Sequence, residues 1–390
     1  MMMGLIWLGL AYVMSQFFRS FLAVLSTFLE RDLGATAQDL AAASGMWFLI
    51  FAVMQLPVGW ALDKIGPRRT ASVLLLIGGA GGAALFALAQ TPLHINIAMG
   101  LIGVGCSPAL MGSYYIFARE YPPARFATLA ALMLGIGTMG NLAASYPTTL
   151  AAEVIGWRAT LAAMALIAAA AAVGIFFSVR DPAPHETALK GSVLDLLKMP
   201  VMWLILPMAA ISYAPSGTLR GLWIGPYLND VFQMSPGQIG QATLAMGVAM
   251  ILGTLVYGPL DRLLGTRKWP IAAGGVGTVL ALAMLGGWTG ISAPLAIALI
   301  ALIGFFGGYY PVIIAHGRAF VPSHLVGRGV TLLNLFSIGG VGVMQFATGE
   351  VYGRMSGQAA TAPYVAIFLF LGLTTALGTA IYLFSRDSVD

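Results

Sequence analysis

Residues 59–70 read GWALDKIGPRRT. One acid, three bases, a glycine and a proline fall between two runs that are almost wholly apolar, 40–62 and 70–89. A bilayer core needs roughly 20 apolar residues per helix, so each flanking run is long enough to cross. The segment is then a short polar turn joining two spans on one side of a membrane. Outward from this turn the same alternation continues to both ends of the chain.

The composition agrees. The 390 residues are 59% hydrophobic and 8% charged, with a mean hydropathy of +0.89. A soluble protein carries about a quarter charged residues. The 49 glycines suit membrane helices, where they permit close backbone approach. Cys106 is the only cysteine, so no intramolecular disulfide forms. His94, His185, His316 and His324 are scattered, with no metal-ligand spacing among them. No phosphate loop or nucleophile motif marks an enzyme, and no cofactor is expected. The N-terminal MMMGLIWLGLAYVMSQFF lacks a basic region and a small-residue cleavage site, and it reads as the first membrane helix.

Cutting at charged and Pro/Gly-rich breaks yields about twelve spans: 5–29, 40–62, 70–89, 93–117, 126–150, 158–178, 202–227, 238–260, 270–288, 294–315, 328–350 and 363–384. The fold class is an all-α membrane protein of two pseudo-symmetric six-helix bundles. The expected divisions are a bundle over 1–179, a linker over 180–200 and a second bundle over 201–390. The halves repeat. Tyr12, Ser15 and Arg19 match Tyr213, Ser216 and Arg220; Asp63-Lys64 matches Asp261-Arg262; AREYPPAR matches GRAFVPSHLVGR; SVRDP matches FSRDS, all at offsets of 198 to 206. A six-helix repeat is parallel, with a pseudo-two-fold along the membrane normal. The side holding the 180–200 linker carries fourteen Lys and Arg against three opposite, so it is read as cytoplasmic, with both termini on it. Most of the basic charge is therefore topological and does not argue for nucleic acid. The bilayer is the expected partner, with the chain a monomer.

The turn at 59–70 resembles the G-x-L-a-D-r/k-x-G-r/k-r/k signature of the major facilitator superfamily, with Pro67 where the first closing base is usual. A degraded copy follows span eight, with Tyr257 in place of the glycine and then Asp261, Arg262 and Arg267. GWRAT at 156–160 and the twelve spans extend the resemblance over the whole chain. The resemblance implies a bacterial-type inner-membrane protein working by alternating access around a site near the midplane. It also implies a cytoplasmic latch from Asp63, Arg69 and Arg119, with Asp261 and Arg318 in the second copy.

Arg19 and Arg220 lie inside spans one and seven. An arginine at a helix centre costs about 2.5–3.5 kcal/mol on insertion scales, so two of them need a reason. All fourteen acidic residues fall in loops or at span ends. A guanidinium presents a planar fork suited to carboxylate or phosphate, which points to a small anionic substrate. Tyr12, Ser15 and Arg19, like Tyr213, Ser216 and Arg220, are spaced i, i+3, i+7, one stripe of a regular helix. Pro215, Gly217 and Gly221 would loosen span seven. Asn141 and Asn334 fall at similar places in spans five and eleven and are placed near the cavity as candidate substrate-binding residues, and Tyr114, Tyr309 and Trp223 are candidate walls.

The function read from these residues is secondary transport of a small organic anion, a carboxylate or phosphate ester, with exchange as one mode. The paired arginines are similar to those of the superfamily's organic phosphate antiporters. Two alternatives stay open. One is an importer of copper or of a neutral, riboflavin-like metabolite, with Met246 and Met250 at i, i+4 as thioethers for Cu(I). The other is a ligand sensor that does not transport. His316 is read as an interfacial residue at the end of span ten.

Overall fold

The computed structural model describes residues 2–182, 193–288, 290–322 and 325–388. His185, His324, Asp390 and the 183–192 part of the expected linker lie outside them. The described residues are helical, joined by turns, with no strand among them. We number the long helices α1 (Met3–Phe18 with Leu22–Leu33), α2 (Ala37–Lys64), α3 (Pro67–Ala87), α4 (Pro92–Glu120), α5 (Thr128–Ala143 with Tyr146–Ile155) and α6 (Trp157–Ser178). After α7 come α8 (Pro236–Leu264), α9 (Lys268–Gly287), α10 (Ala293–Ala319), α11 (Arg328–Met355) and α12 (Ala362–Tyr382). α7 is a chain of four pieces, Met202–Ser212, Ala214–Thr218, Leu219–Trp223 and Ile224–Phe232.

Large apolar side chains are exposed along these helices, among them Phe177, Val154, Leu255 and Leu373. In a membrane this surface faces lipid, because acyl chains are as apolar as leucine. Trp60, Trp203, Trp269 and Trp288 are exposed near helix ends, where an indole suits the headgroup boundary.

The chain forms two compact units, Met1–Glu186 with Pro236–Gln241, and Thr187–Ser235 with Ala242–Asp390. Within the first, α2 opens on a capping box: Asp39 N–H donates to Thr36 Oγ1 at 3.1 Å and Thr36 N–H to Asp39 Oδ2 at 3.0 Å. The GWRAT residues do structural work here. Gly156 takes φ +84°, Trp157 Nε1 donates to Asp32 at 2.8 Å, and Arg158 Nη1 donates to the carbonyls of Ala87 and Ala89 at 2.9 and 2.7 Å. Arg158 thus closes the C-terminal end of α3, where carbonyls lack intrahelical donors.

Close crossings in both units need glycine. A Cβ on Gly140 of α5 would run into the Val13 carbonyl of α1, and one on Gly340 of α11 into the Ala210 carbonyl of α7. The core of the second unit gathers Met208, Ile211, Tyr257, Tyr309, Ile313, Leu333 and Tyr382.

Two expectations about helix shape are corrected. Span one is not one helix over 5–29: it bends by 56° between Phe18 and Leu22, and α5 bends by 44°. Span seven reaches Phe232 and is broken repeatedly, so its 202–227 bound is also too short.

Candidate functional site

In the first unit the regular part of α1 ends at Phe18, and Arg19 stands in the turn that follows. A helix end frees its last four carbonyls. The Ser20 hydroxyl lies 3.3 Å from one of them, that of Gln16, and 3.2 Å from Asn141 Oδ1 of α5. Asn141 Nδ2 donates to Gln16 Oε1 at 3.4 Å, and Gln16 Nε2 donates to the Tyr12 hydroxyl at 2.5 Å. The Arg19 guanidinium sits 5.3 Å from the Trp47 ring and 5.6 Å from Phe51, and those two rings stack at 5.0 Å. The faces of such rings attract a cation. Ser15 and Cys106 are buried beside it, and Tyr114 packs on Phe117 and Phe126.

In the second unit Arg220 is 3% exposed, inside a π-helical turn over Leu219–Trp223. Such turns widen a helix by one residue and recur at functional sites. Gln345 Nε2 of α11 donates to the Thr218 carbonyl at 3.2 Å, at the mouth of that turn. Tyr213 occupies the earlier break, its ring 5.2 Å from Tyr310, whose hydroxyl donates to Asn334 Oδ1 at 2.8 Å. Ser216 donates to the Tyr213 carbonyl at 3.2 Å. Trp223 is fully buried and donates from Nε1 to Thr348 at 2.9 Å; Tyr309 is fully buried against Tyr257.

These placements correct the sequence reading in three respects. Neither triplet is a stripe on a regular helix, because Arg19 lies past a helix end and Arg220 in a π turn. The fifth-helix carboxamides that reach the broken first helix of their own unit are Asn141 and Gln345, whereas Asn334 accepts from Tyr310. His316, at the end of α10, is fully buried within its unit, which the sequence reading did not foresee, with Nδ1 2.7 Å from the Tyr382 hydroxyl and Nε2 3.1 Å from the Arg386 carbonyl. The tautomer that donates from Nε2 and accepts at Nδ1 satisfies both. Met246 is buried and packs with Met250 over Gly304, which is the ordinary packing use of the side chain.

The loops also differ from expectation. Arg119 Nη2 lies 3.5 Å from Asp63 Oδ1 and its guanidinium covers the Tyr115 ring at 4.0 Å. Asp63 is 64% exposed, so this pair alone contributes little. Arg69 and Arg318 are both exposed, and Asp261 is paired not with Arg318 but with Arg267 at 3.2 Å, both side chains largely buried. The matched SVRDP and FSRDS segments have one task. Asp181 Oδ1 accepts from the Arg68 amide at 2.8 Å, where Gly66, at φ +94°, leaves room for the carboxylate. Asp387 accepts from the Thr266 hydroxyl and from the amides of Arg267 and Lys268 at 3.2 and 3.1 Å. The acid after the sixth helix of each unit therefore sits at the N-terminal end of the third, where the helix dipole favours it.

Burial works against ionisation of Asp387, but the Thr266 hydroxyl and the two amides outweigh it and hold the carboxyl below its usual range. A depressed folded pKa adds stability that is present above the unfolded value and lost as pH falls through the folded one. Asp387→Asn is expected to lower the Tm at pH 7, with the difference closing below about pH 4. A pH-independent difference in thermal scans of the detergent-solubilised protein would show that the charge is not what Thr266, Arg267 and Lys268 hold.

Long apolar helices joined by basic loops describe a multi-pass membrane protein. The family model described as Major Facilitator Superfamily matches residues 8–224, and the chain belongs to that superfamily. It is accordingly a multi-pass protein of the bacterial-type inner membrane. It is 27% identical over 162 residues to the 4-hydroxybenzoate transporter PcaK of Acinetobacter baylyi, covering 41% of this chain and 35% of that one. It is 30% identical over 115 residues to a gallate transporter of Pseudomonas putida, covering 29% and 25%. The match thus spans about a third or less of each relative's length. A solved D-xylose–proton symporter superposes with a TM-score of 0.79 at 14% identity, covering 98% of this chain and 97% of that one, which is a likeness of fold.

Proposed function

We propose that the protein is a secondary transporter of small organic anions, that its substrates are aromatic carboxylates, and that Arg19 in the first unit and Arg220 in the second are each a carboxylate ligand of their own unit. One observation carries this. Each unit bears the same Tyr-x2-Ser-x3-Arg, and each arginine falls where its helix departs from α geometry. A guanidinium matches a carboxylate with two parallel hydrogen bonds. The names of the two relatives support the aromatic acid, since 4-hydroxybenzoate and gallate are both hydroxylated benzoates. So does the Trp47–Phe51 stack beside Arg19, an aromatic surface next to the charge. Asp63 with Arg119, and Asp261 with Arg267, act in this reading as loop latches that are made and broken during the cycle.

Thermal scans of purified protein test the ligand class. The probes are 4-hydroxybenzoate, gallate, neutral 4-hydroxybenzyl alcohol, a sugar phosphate and Cu(I). A ligand at a hundred times its Kd adds about 2.7 kcal/mol, a shift of a few degrees. The acids are expected to raise the Tm and the alcohol is not. Equal shifts for acid and alcohol, or a shift with copper alone, would discard the carboxylate. Counterflow in proteoliposomes then separates exchange from proton symport.

A further inference from the structure

In each unit a carboxamide from the fifth helix reaches the break that carries the arginine. Asn141 of α5 faces the Ser20 hydroxyl at 3.2 Å and Gln16 at 3.4 Å, one residue after and three residues before Arg19. Gln345 of α11 donates to the Thr218 carbonyl at 3.2 Å, two residues before Arg220. Gly140 precedes Asn141 and allows α5 to approach Val13; Gly340 lies just over one turn before Gln345 and does the same for α11 at Ala210. The second helix of each crossing is thus brought close enough for a carboxamide to span the gap.

Breaking a helix exposes backbone groups, and a buried one without a donor costs about 1–3 kcal/mol. The alternative for a broken segment is to relax into a regular helix. That would rotate every later side chain by the angle of the lost or inserted residue, about 100° at 3.6 residues per turn. Gln345 meets the Thr218 carbonyl itself, and Asn141 meets the Ser20 hydroxyl and the Gln16 carboxamide beside the break; each contact favours the form in which it is made and so sets the direction of the arginine. Carboxamides suit this because one group both donates and accepts, and because, unlike a carboxylate, it adds no charge beside the guanidinium.

We propose that Asn141 and Gln345 are positioning residues, one per unit, that hold the helix breaks under Arg19 and Arg220 and so set the approach of each guanidinium to the anion. This rests on the reading of the two arginines as anion ligands. Neither residue touches substrate in this account. It assigns the two units the same kind of device in different residue types.

The test has two arms. Hydrogen exchange on the purified full chain needs no substrate. In Gln345→Leu, amides of 219–224 are expected to exchange about tenfold faster, while those of α12 keep their rates. In proteoliposomes the same variant is expected to raise the KM for 4-hydroxybenzoate about tenfold with Vmax within twofold, and Gln345→Asn restores part of the loss. Asn141→Leu repeats the design in the first unit should Gln345→Leu fail to fold. Unchanged exchange at 219–224 overturns the proposal, as does wild-type KM in Gln345→Leu when Arg220→Gln is impaired. Normal uptake by Arg220→Gln itself is a different failure, since it removes the arginines as ligands and leaves the exchange result to stand on its own.

Discussion

Arg220→Lys is expected to lose most 4-hydroxybenzoate uptake, and Arg220→Gln all of it, while Arg19→Lys retains a measurable fraction. The asymmetry follows from the two settings. Arg220 is 3% exposed in a π turn, so its fork has little room to be replaced by a point charge on a flexible stem. Hydrogen bonds to a charged group are worth about 1.5–3 kcal/mol, which is roughly 10- to 150-fold in affinity. Lysine keeps the charge but loses the paired geometry, so it falls within that range. Arg19 is only half buried and lies over Trp47 and Phe51, and an ammonium can take the same seat over the rings. Initial uptake rates in proteoliposomes, normalised to reconstituted protein, decide it. Wild-type uptake by Arg220→Lys would mean that the site reads charge alone, and by Arg220→Gln that the arginine has no part in binding.

The span count, the repeat and the loop acids were legible in the sequence because each rests on a strong local signal. Charge is expensive in hydrocarbon, so Asp63, Arg119, Asp261 and Arg267 could only fall at helix ends. The loosening of α7 was also readable, since Pro215, Gly217 and Gly221 remove hydrogen bonds or side-chain packing from the helix. The break in α1 was not. Phe17-Phe18-Arg19-Ser20-Phe21 contains neither proline nor glycine to announce a bend, and the contacts made there come from another helix, with Asn141 at Ser20 and Gln16. Gln345 was passed over for a related reason. Place along the spans paired Asn141 with Asn334, which instead accepts from Tyr310, while Gln345 lies farther along α11. The roles of Asp181 and Asp387 were hidden in the repeat itself. SVRDP and FSRDS were matched as text, but an acid capping a helix more than a hundred residues away leaves no periodicity to read.

Gly340→Val is expected to abolish folding of the second unit, and Gly340→Ala to destabilise it by more than about 2 kcal/mol. The atom in the way is backbone, which cannot rotate aside: even a single Cβ at 340 overlaps the Ala210 carbonyl. α7 and α11 would have to part, and with them the bond from Gln345 to Thr218 on which the π turn depends. Overpacking of a close-packed interior costs about 1–3 kcal/mol when side chains can yield, and here the obstacle is the main chain. Gly135→Ala in α5 is the control. Nothing lies within 4 Å of a Cβ there, so the change should be neutral or stabilise slightly, by up to about 1 kcal/mol of helix propensity. Yield and monodispersity in size-exclusion chromatography, followed by thermal scans, separate the two cases. A Gly340→Ala protein as stable as wild type would show that α7 and α11 do not need this crossing, and that the break carrying Arg220 is held by something other than the fit of these two helices.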